Sequence, residues 1–220
     1  IKKEFENAKG ALEGKNIIVY DSMRFTFRTK LLGDFNRANC LAAIAACKAL
    51  GIDDETIRST IAKFEGVPGR MEVVVEKPFR VMIDFAHTPN AIEQVLGTLR
   101  PFTKKRLIHV FGSAALRDVT KRPLMGAASA RYADIIVLTE EDYRTEDVNT
   151  IIDQIARGIP KEKEAYRIPD RASAIEYALS AARPGDLVIV TGKGHEKSLA
   201  RGKKEYPWSD QEAVRKFFKT

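Results

Sequence analysis

Residues 68–89 read PGRMEVVVEKPFRVMIDFAHTP. A proline-glycine hinge opens the stretch. Two β-rich runs follow, Glu72–Glu76 and Arg80–Asp84, and Thr88-Pro89 then starts a helix. The second run ends on Asp84, and in an open α/β sheet ligands bind beyond the carboxyl ends of the strands. Arg70, Asp84 and His87 are therefore expected near such an edge and near a domain boundary. The residues before the hinge read as the tail of one domain, and those after it as a complete second one.

Downstream of the hinge, strand and helix alternate. Helices are expected at Asn90–Leu99, Arg122–Tyr132, Val148–Ile155 and Arg171–Ala182, the last capped by Asp170. Strands are expected at Arg106–Phe111, Asp134–Thr139, Ala165–Ile168 and Asp186–Thr191. Apolar runs such as IIVL and LVIV, flanked by helices, indicate a sheet buried on both faces. A hairpin over Lys197–Glu205 and a helix capped by Ser209 or Asp210 close the chain. The fold class is α/β, with a Rossmann-like, mostly parallel sheet flanked by helices.

Upstream, strand-like runs at Ile17–Tyr20 and Arg24–Thr29 surround a turn at Asp21-Ser22. A helix from Asn36 to Leu50 ends at Gly51, and a second, capped by Asp53 or Asp54, runs to Phe64. The linker Gly66-Val67-Pro68-Gly69 places the boundary between residues 1–67 and 68–220. The opening IKKEFENAKG lacks an initiator Met and reads as the interior of a longer chain.

Composition narrows the class of function. The chain has 220 residues, 44% hydrophobic and 30% charged, a globular profile. No apolar run approaches the roughly 20 residues that span a bilayer, so no membrane association is expected. The net charge of +7 is spread along the chain without an aromatic-basic signature. It reads as a solvated surface that suits phosphorylated small molecules and not nucleic acid. Cys40 and Cys47 lie two helical turns apart, too far to bridge, and are expected as packed thiols in a reducing, cytoplasmic compartment.

Four loops follow the strong strands: Asp84–His87, Gly112–Asp118, Thr139–Arg144 and Thr191–Glu196. Taken singly, each is ordinary, because glycines make turns and charges are solvated. Four at the same ends of parallel strands converge on one site. In Gly192–Glu196 the glycines let backbone N–H groups approach a ligand. Glu196 suits an ammonium and Lys193 an anion. Arg117 and Arg144 are guanidinium forks for a carboxylate. The Walker pattern GxxxxGK[ST] occurs nowhere in the chain. No nucleophile is marked, and His87, His109 and His195 have no metal-ligand spacing.

The stretches GDFNRANCLAA, PGRMEVV, DFAHTPNAIEQVL, FGSAALRDVTKRPLMG, TEEDYRTED and TGKGHE together resemble the Mur ligases, in that family's order, from Leu32 to Glu196. The resemblance implies the end of an ATP-binding central domain followed by a whole C-terminal domain. It also implies an ADP-forming ligase that joins a third amino acid to UDP-MurNAc-L-Ala-D-Glu in peptidoglycan synthesis, using ATP and Mg²⁺. Carried over by motif position, Asn36 and Asn39 would face adenine, Arg70 the phosphates and Asp84 the ribose. His87 would sit beside the nucleotide. Arg117, Asp142, Arg144, Gly192 and Glu196 would hold the incoming amino acid. No residue is expected to act as a catalytic acid, base or metal ligand, a monomer is expected, and the piece alone would be inactive.

Two departures bear on the substrate. Glu141-Asp142-Tyr143-Arg144 stands where diaminopimelate-adding members carry Asp-Asn-Pro-Arg. Retention of Arg144 favours meso-diaminopimelate, whereas the added charge of Asp142 favours a simple diamine such as lysine. Ser113-Ala114-Ala115-Leu116 replaces a Cys-Gly-Gly-rich run. The expectation places diaminopimelate slightly ahead of lysine. The alternatives are a ligase of the folylpolyglutamate synthase type, or a non-catalytic module that keeps the fold and binds a nucleotide or amino acid.

Overall fold

The computed structural model describes residues 12–13, 17–22 and 25–219, with side chains from Phe25 onward. Contacts divide the chain into two compact units, one ending at Gly66 and one beginning at Val67.

In the first unit, β1 (Leu12–Glu13), β2 (Ile17–Ser22) and β3 (Phe25–Thr29) form an antiparallel sheet. The expected turn at Asp21-Ser22 is strand instead. The ladder pairs Asp21 with Thr26 and Ser22 with Phe25, so backbone pairing overrides the turn preference of those residue types. The expected start at Arg24 lies outside the described residues. Helices α1 (Asp34–Ala49) and α2 (Asp54–Lys63) follow, and Asp53 caps α2 by accepting from Thr56 N at 2.9 Å. Phe25, Phe27, Cys40, Ile44 and Ile57 form the core of this unit. Both cysteines are free thiols.

The second unit is built on a six-stranded sheet. Its strands are β4 (Glu72–Val75), β5 (Arg80–Asp84), β6 (Leu107–Phe111), β7 (Ile135–Leu138), β8 (Glu164–Arg167) and β9 (Leu187–Thr191), in the spatial order β4-β5-β9-β6-β7-β8. Only the edge pair β4–β5 is antiparallel. The crossover helices are α3 (Pro89–Leu99), α4 (Lys121–Tyr132), α5 (Val148–Ala156) and α6 (Arg171–Ala181). A short hairpin of β10 (Ser198–Arg201) and β11 (Lys204–Pro207) leads to α7 (Asp210–Phe217).

Alternation along the strands sends side chains to two faces. Val81, Ile83, Ile108, Val110, Val188 and Val190 pack against Ala174, Ala178 and Leu179 of α6 and Val214 of α7. The opposite positions, among them Met82, Ile136 and Ile189, are equally buried. A sheet covered on both sides explains why β5, β6, β7 and β9 read as unbroken apolar runs. Among the described residues, no helix is long and apolar enough to cross a membrane.

One polar residue sits inside this core. His109 has no exposed surface; its Nδ1 lies 2.8 Å from Ser129 Oγ and its Nε2 3.0 Å from Thr191 Oγ1. Its ring stacks on Phe111 at 4.4 Å. Burial first, and then the positive charge of Arg171, push its pKa down to about 3. The folded protein thus keeps His109 neutral while the unfolded chain takes up a proton near the ordinary histidine value. Stability from this group is present above that value and is lost as pH falls from about 6.5 toward 3. The unfolding free energy of the wild type should therefore drop by up to ~1.4 kcal/mol per pH unit more than that of His109→Gln between pH 6 and 4, in denaturant titrations. Equal slopes for the two proteins would refute this account of His109.

Candidate functional site

Because β5, β6, β7 and β9 are parallel, their carboxyl ends share one edge of the sheet. The loops that follow them enclose a cleft of about 390 Å³ lined by Phe85, His87, Arg117, Lys121, Glu141, Asp142, Arg144, Gly192 and Glu196, among others. Arg117, Asp142, Arg144, Gly192, Glu196 and His87, read separately from sequence, are thus brought together.

The acidic side of the cleft is built from two loops. Glu141 is buried, and its Oε2 accepts no hydrogen bond in the structure. Burial raises its pKa, against the pull of Arg171, Lys121, His87 and Lys193. Gly192 lies beside it with φ +106°, and a Cβ there would stand 2.6 Å from Glu141 Oε2. Glycine is needed at this position for both its backbone angle and its missing side chain. Gly69 serves the same purpose at the hinge, where a Cβ would meet His195 N at 2.2 Å. The PGR hinge is thereby pressed directly onto the GKGHE loop.

Lys193 does not reach into the cleft as a free cation. It is buried, with its Nζ 2.9 Å from Asp142 Oδ1 and 2.5 Å from Glu196 Oε2. Its anions are supplied by the protein itself, which replaces the sequence expectation of an external one. Asp142 Oδ1 also accepts from Ala200 N at 2.9 Å, and Oδ2 lies 3.7 Å from Arg144 Nη2. The charge at position 142 is therefore already answered by a buried ammonium.

The basic side holds the two guanidinium groups. Arg144 adopts φ +45°, a left-handed conformation uncommon outside glycine. Its N–H donates to Ala200 O at 3.0 Å and its carbonyl accepts from Gly202 N at 2.7 Å, so the β10–β11 hairpin holds this backbone in place. Leu116, just before Arg117, also has a positive φ, 56°. Two strained residues at one cleft fit a site whose geometry is imposed by its surroundings. Arg117 is exposed at the rim.

Arg70 and Asp84 do not line this cleft. Arg70 is exposed, its guanidinium 4.4 Å from the centre of the Phe85 ring. Asp84 is buried; Oδ2 accepts from Met71 N at 2.8 Å and Oδ1 from Ala86 N at 2.7 Å. Burial raises its pKa despite those two bonds. His87 is fixed by a 2.9 Å contact between Nδ1 and Phe85 O, and its carbonyl accepts from Lys121 Nζ at 2.9 Å. Asn36 and Asn39 belong to the first unit, one turn apart on α1. Asn36 donates to Leu32 O at 2.9 Å, and Asn39 to Asn36 Oδ1 at 3.4 Å. Asn39 borders a mostly apolar hollow of about 360 Å³ between α1 and α2.

Sequence reading missed Glu141, Lys121 and two buried arginines. Arg122 holds Glu146 with 2.5 and 2.8 Å bonds, and reaches Ala114 O at 3.3 Å. Arg171 pairs with Asp210, both without exposed side-chain surface. Glu141 carried a signal, since it follows a strand directly. The arginines carried none, because only contact across the sheet distinguishes a buried arginine from a surface one.

The profile described as "Mur ligase, glutamate ligase domain" matches residues 69–194. The chain is 43% identical over 204 residues to a UDP-N-acetylmuramoyl-L-alanyl-D-glutamate–2,6-diaminopimelate ligase of Synechocystis sp., covering 91% of this chain and 40% of that one. It is 43% identical over 195 residues to a UDP-N-acetylmuramyl-tripeptide synthetase of Roseiflexus sp., covering 86% of this chain and 38% of that one. A solved structure of a UDP-N-acetylmuramoyl-L-alanyl-D-glutamate–2,6-diaminopimelate ligase superposes with a TM-score of 0.70 at 34% identity, over 92% of this chain and 42% of that one. The Mycobacterium tuberculosis folylpolyglutamate synthase complexed with ADP and AMPPCP shares the fold, at TM-score 0.67 and 22% identity, over 84% of this chain and 44% of that one. The chain spans about two fifths of the length of the curated relatives it matches. A mostly parallel sheet with four chemically dense loops at one edge, a profile match over residues 69–194 and relatives at 43% identity carry one conclusion: the chain belongs to the Mur ligases.

Proposed function

We propose that the chain carries the amino-acid pocket of an ATP-dependent ligase that adds the third residue to UDP-MurNAc-L-Ala-D-Glu in peptidoglycan synthesis. The observation that supports this reading best is the division of charge within one cleft. Glu141, buried with its Oε2 free of any hydrogen bond, lines it together with the guanidinium groups of Arg117 and Arg144, while Glu196 at its edge is paired with Lys193. A zwitterionic amino acid needs both kinds of group, an acceptor for its ammonium and forks for its carboxylates.

The pocket favours meso-diaminopimelate over L-lysine. The extra charge of Asp142 argued for lysine only if that carboxylate were free, and it is held by Lys193. Arg144, which lines the cleft with its Nη2 3.7 Å from Asp142 Oδ2, would then meet a second carboxylate on the substrate. Relatives at 43–45% identity carry the name of diaminopimelate ligases.

The nucleotide would lie on the other groups. Arg70 is exposed and suited to phosphate, and His87 sits nearby on the loop after β5. Each Asp84 oxygen accepts one backbone N–H and keeps a lone pair for a ribose hydroxyl. By family resemblance, Asn36 and Asn39 are assigned to adenine, and the first unit would be the end of the ATP-binding domain. ATP with Mg²⁺ would supply the phosphoryl group that activates a carboxylate of the dipeptide's D-Glu as an acyl phosphate. The side chains of the cleft would hold the incoming amino acid so that its deprotonated amine attacks the acyl carbon, forming the amide as phosphate leaves with the carboxylate oxygen and the amine's remaining extra proton passes to that phosphate or to water. The remaining length of the ligase would supply the phosphate-cradling loop, so the chain alone would not ligate. It would work as a monomer in the cytoplasm, without nucleic acid or membrane.

Calorimetric titration of the chain and of the full-length ligase with meso-diaminopimelate and L-lysine tests this reading. Diaminopimelate should bind more tightly, and Arg144→Ala should weaken it roughly 10- to 100-fold, the range of one charged hydrogen-bonding partner. A preference for lysine that ignores Arg144 would overturn the substrate assignment. Gly192→Ala tests the steric claim. The new methyl group must displace the Glu141 carboxyl, at about 1–3 kcal/mol of backbone strain. Amino-acid affinity should fall at least ~10-fold. An unchanged affinity in a folded Gly192→Ala protein would place the ammonium elsewhere.

A further inference from the structure

The two loops that form the acidic side of the cleft follow β7 and β9, which are not neighbours, because β6 lies between them. No ladder hydrogen bond ties one loop to the other. Two side chains make the connection: Lys193 reaches Asp142 Oδ1 at 2.9 Å within the cleft, and Arg171, the first residue of α6, joins the two backbones from behind. Its Nη1 donates to Glu140 O at 3.1 Å and its Nη2 to Thr191 O at 2.9 Å. Those carbonyls belong to the residues immediately before Glu141 and Gly192. Its backbone N–H donates to Glu140 Oε1 at 3.1 Å.

The guanidinium is itself locked. Nε and Nη2 hold Asp210 Oδ1 and Oδ2, each at 2.8 Å. Asp210 accepts in turn from Trp208 Nε1 at 2.7 Å. Arg201 closes the arrangement from the hairpin, donating to the Glu140 carboxylate from Nε at 2.8 Å. Arg171 has no exposed surface and does not line the cleft.

We propose that Arg171 is a positioning residue of the amino-acid pocket, its guanidinium setting the spacing between Glu141 and Gly192 by bridging the carbonyls behind them. The inference rests on the reading of the cleft as an amino-acid site. A planar fork with five donors can span two carbonyls and a carboxylate at once, which an ammonium on a flexible stem cannot. The spacing matters because Gly192 has no tolerance, its missing Cβ being the space that the Glu141 carboxyl fills. The same cation also favours the charged form of Glu141, together with Lys121 of α4, His87 after β5 and Lys193 after β9.

Steady-state kinetics of the full-length ligase separate this role from simple structural support. Arg171→Lys keeps the charge but loses the span. Its KM for the amino acid should rise ~10-fold or more, with KM for ATP within about twofold and kcat changed less than KM. Asp210→Asn keeps the fork but loosens its hold, and should raise the amino-acid KM roughly threefold. A folded variant with an unchanged amino-acid KM, or with both KM values rising together, overturns the proposal. Hydrogen exchange of the unmutated and Arg171→Lys chains gives a second test that does not depend on activity. In the unmutated chain the hydrogen-bonded amides of Glu140, Tyr143 and Glu196 should share one opening free energy, and in Arg171→Lys, where the Lys193–Asp142 pair remains, the two loops should open separately. Distinct opening energies in the unmutated chain, or a shared one that persists in Arg171→Lys, would overturn it as well. If the wild-type ligase joins no amino acid, the functional reading fails on its own, and the exchange result still decides whether Arg171 couples the loops.

Discussion

Strands β5, β9, β6 and β7 run in parallel and are buried on both faces, so charged side chains have no place in their interiors, and the one histidine there, His109, is kept neutral. The chain can put charge only where the strands end, and parallel strands end together. That constraint produces the cleft. Leaving a buried edge, each loop carries backbone groups that must be paired without a further strand. Here the pairing comes from long side chains with many donors. Arg122 ties the loop after β6 to Glu146, and Arg171 ties the loops after β7 and β9. The buried arginines are therefore the frame of the site, and the cleft residues are mounted on them.

Burying so many charges is tolerable only if they are matched. Arg171 has Asp210, Lys193 has Asp142 and Glu196, and Glu140 has Arg201. Glu141 departs from this, an exception at the cleft itself: it is buried with one oxygen lacking a hydrogen bond. In a folded protein such an unpaired group destabilises unless a ligand completes it. The exception sits where the proposed substrate's ammonium would lie. The same matching changes the meaning of Asp142. Read alone it is an added negative charge in the pocket; paired with Lys193 it is part of the wall.

Most of the fold was legible in the chain because its signals are local. Thr88, Asp170 and Ser209 each accept a hydrogen bond from the backbone N–H three residues on, as capping residues do at helix starts. The apolar runs of β5, β6, β7 and β9 are short, bounded by turn residues and alternate with helices. The miss at Asp21-Ser22 has the opposite character, since a long-range ladder held two turn-forming residues in strand. The cleft residues Arg117, Arg144 and Glu196 were legible because they lie in the loops that follow β6, β7 and β9. Glu141 was passed over because a carboxylate after a strand looks solvated until its burial is known.

The sequence by itself determined the alternation of elements, the parallel sheet and the set of loops that gather at one edge. Those follow from periodicity and punctuation within a dozen residues. The tertiary structure alone decided which charges are free and which are spent. Asp142 and Lys193 are 51 positions apart, and Arg171 and Asp210 are 39 apart. Ionic pairing depends on distance and burial in space, and neither is written in the spacing of residues along the chain.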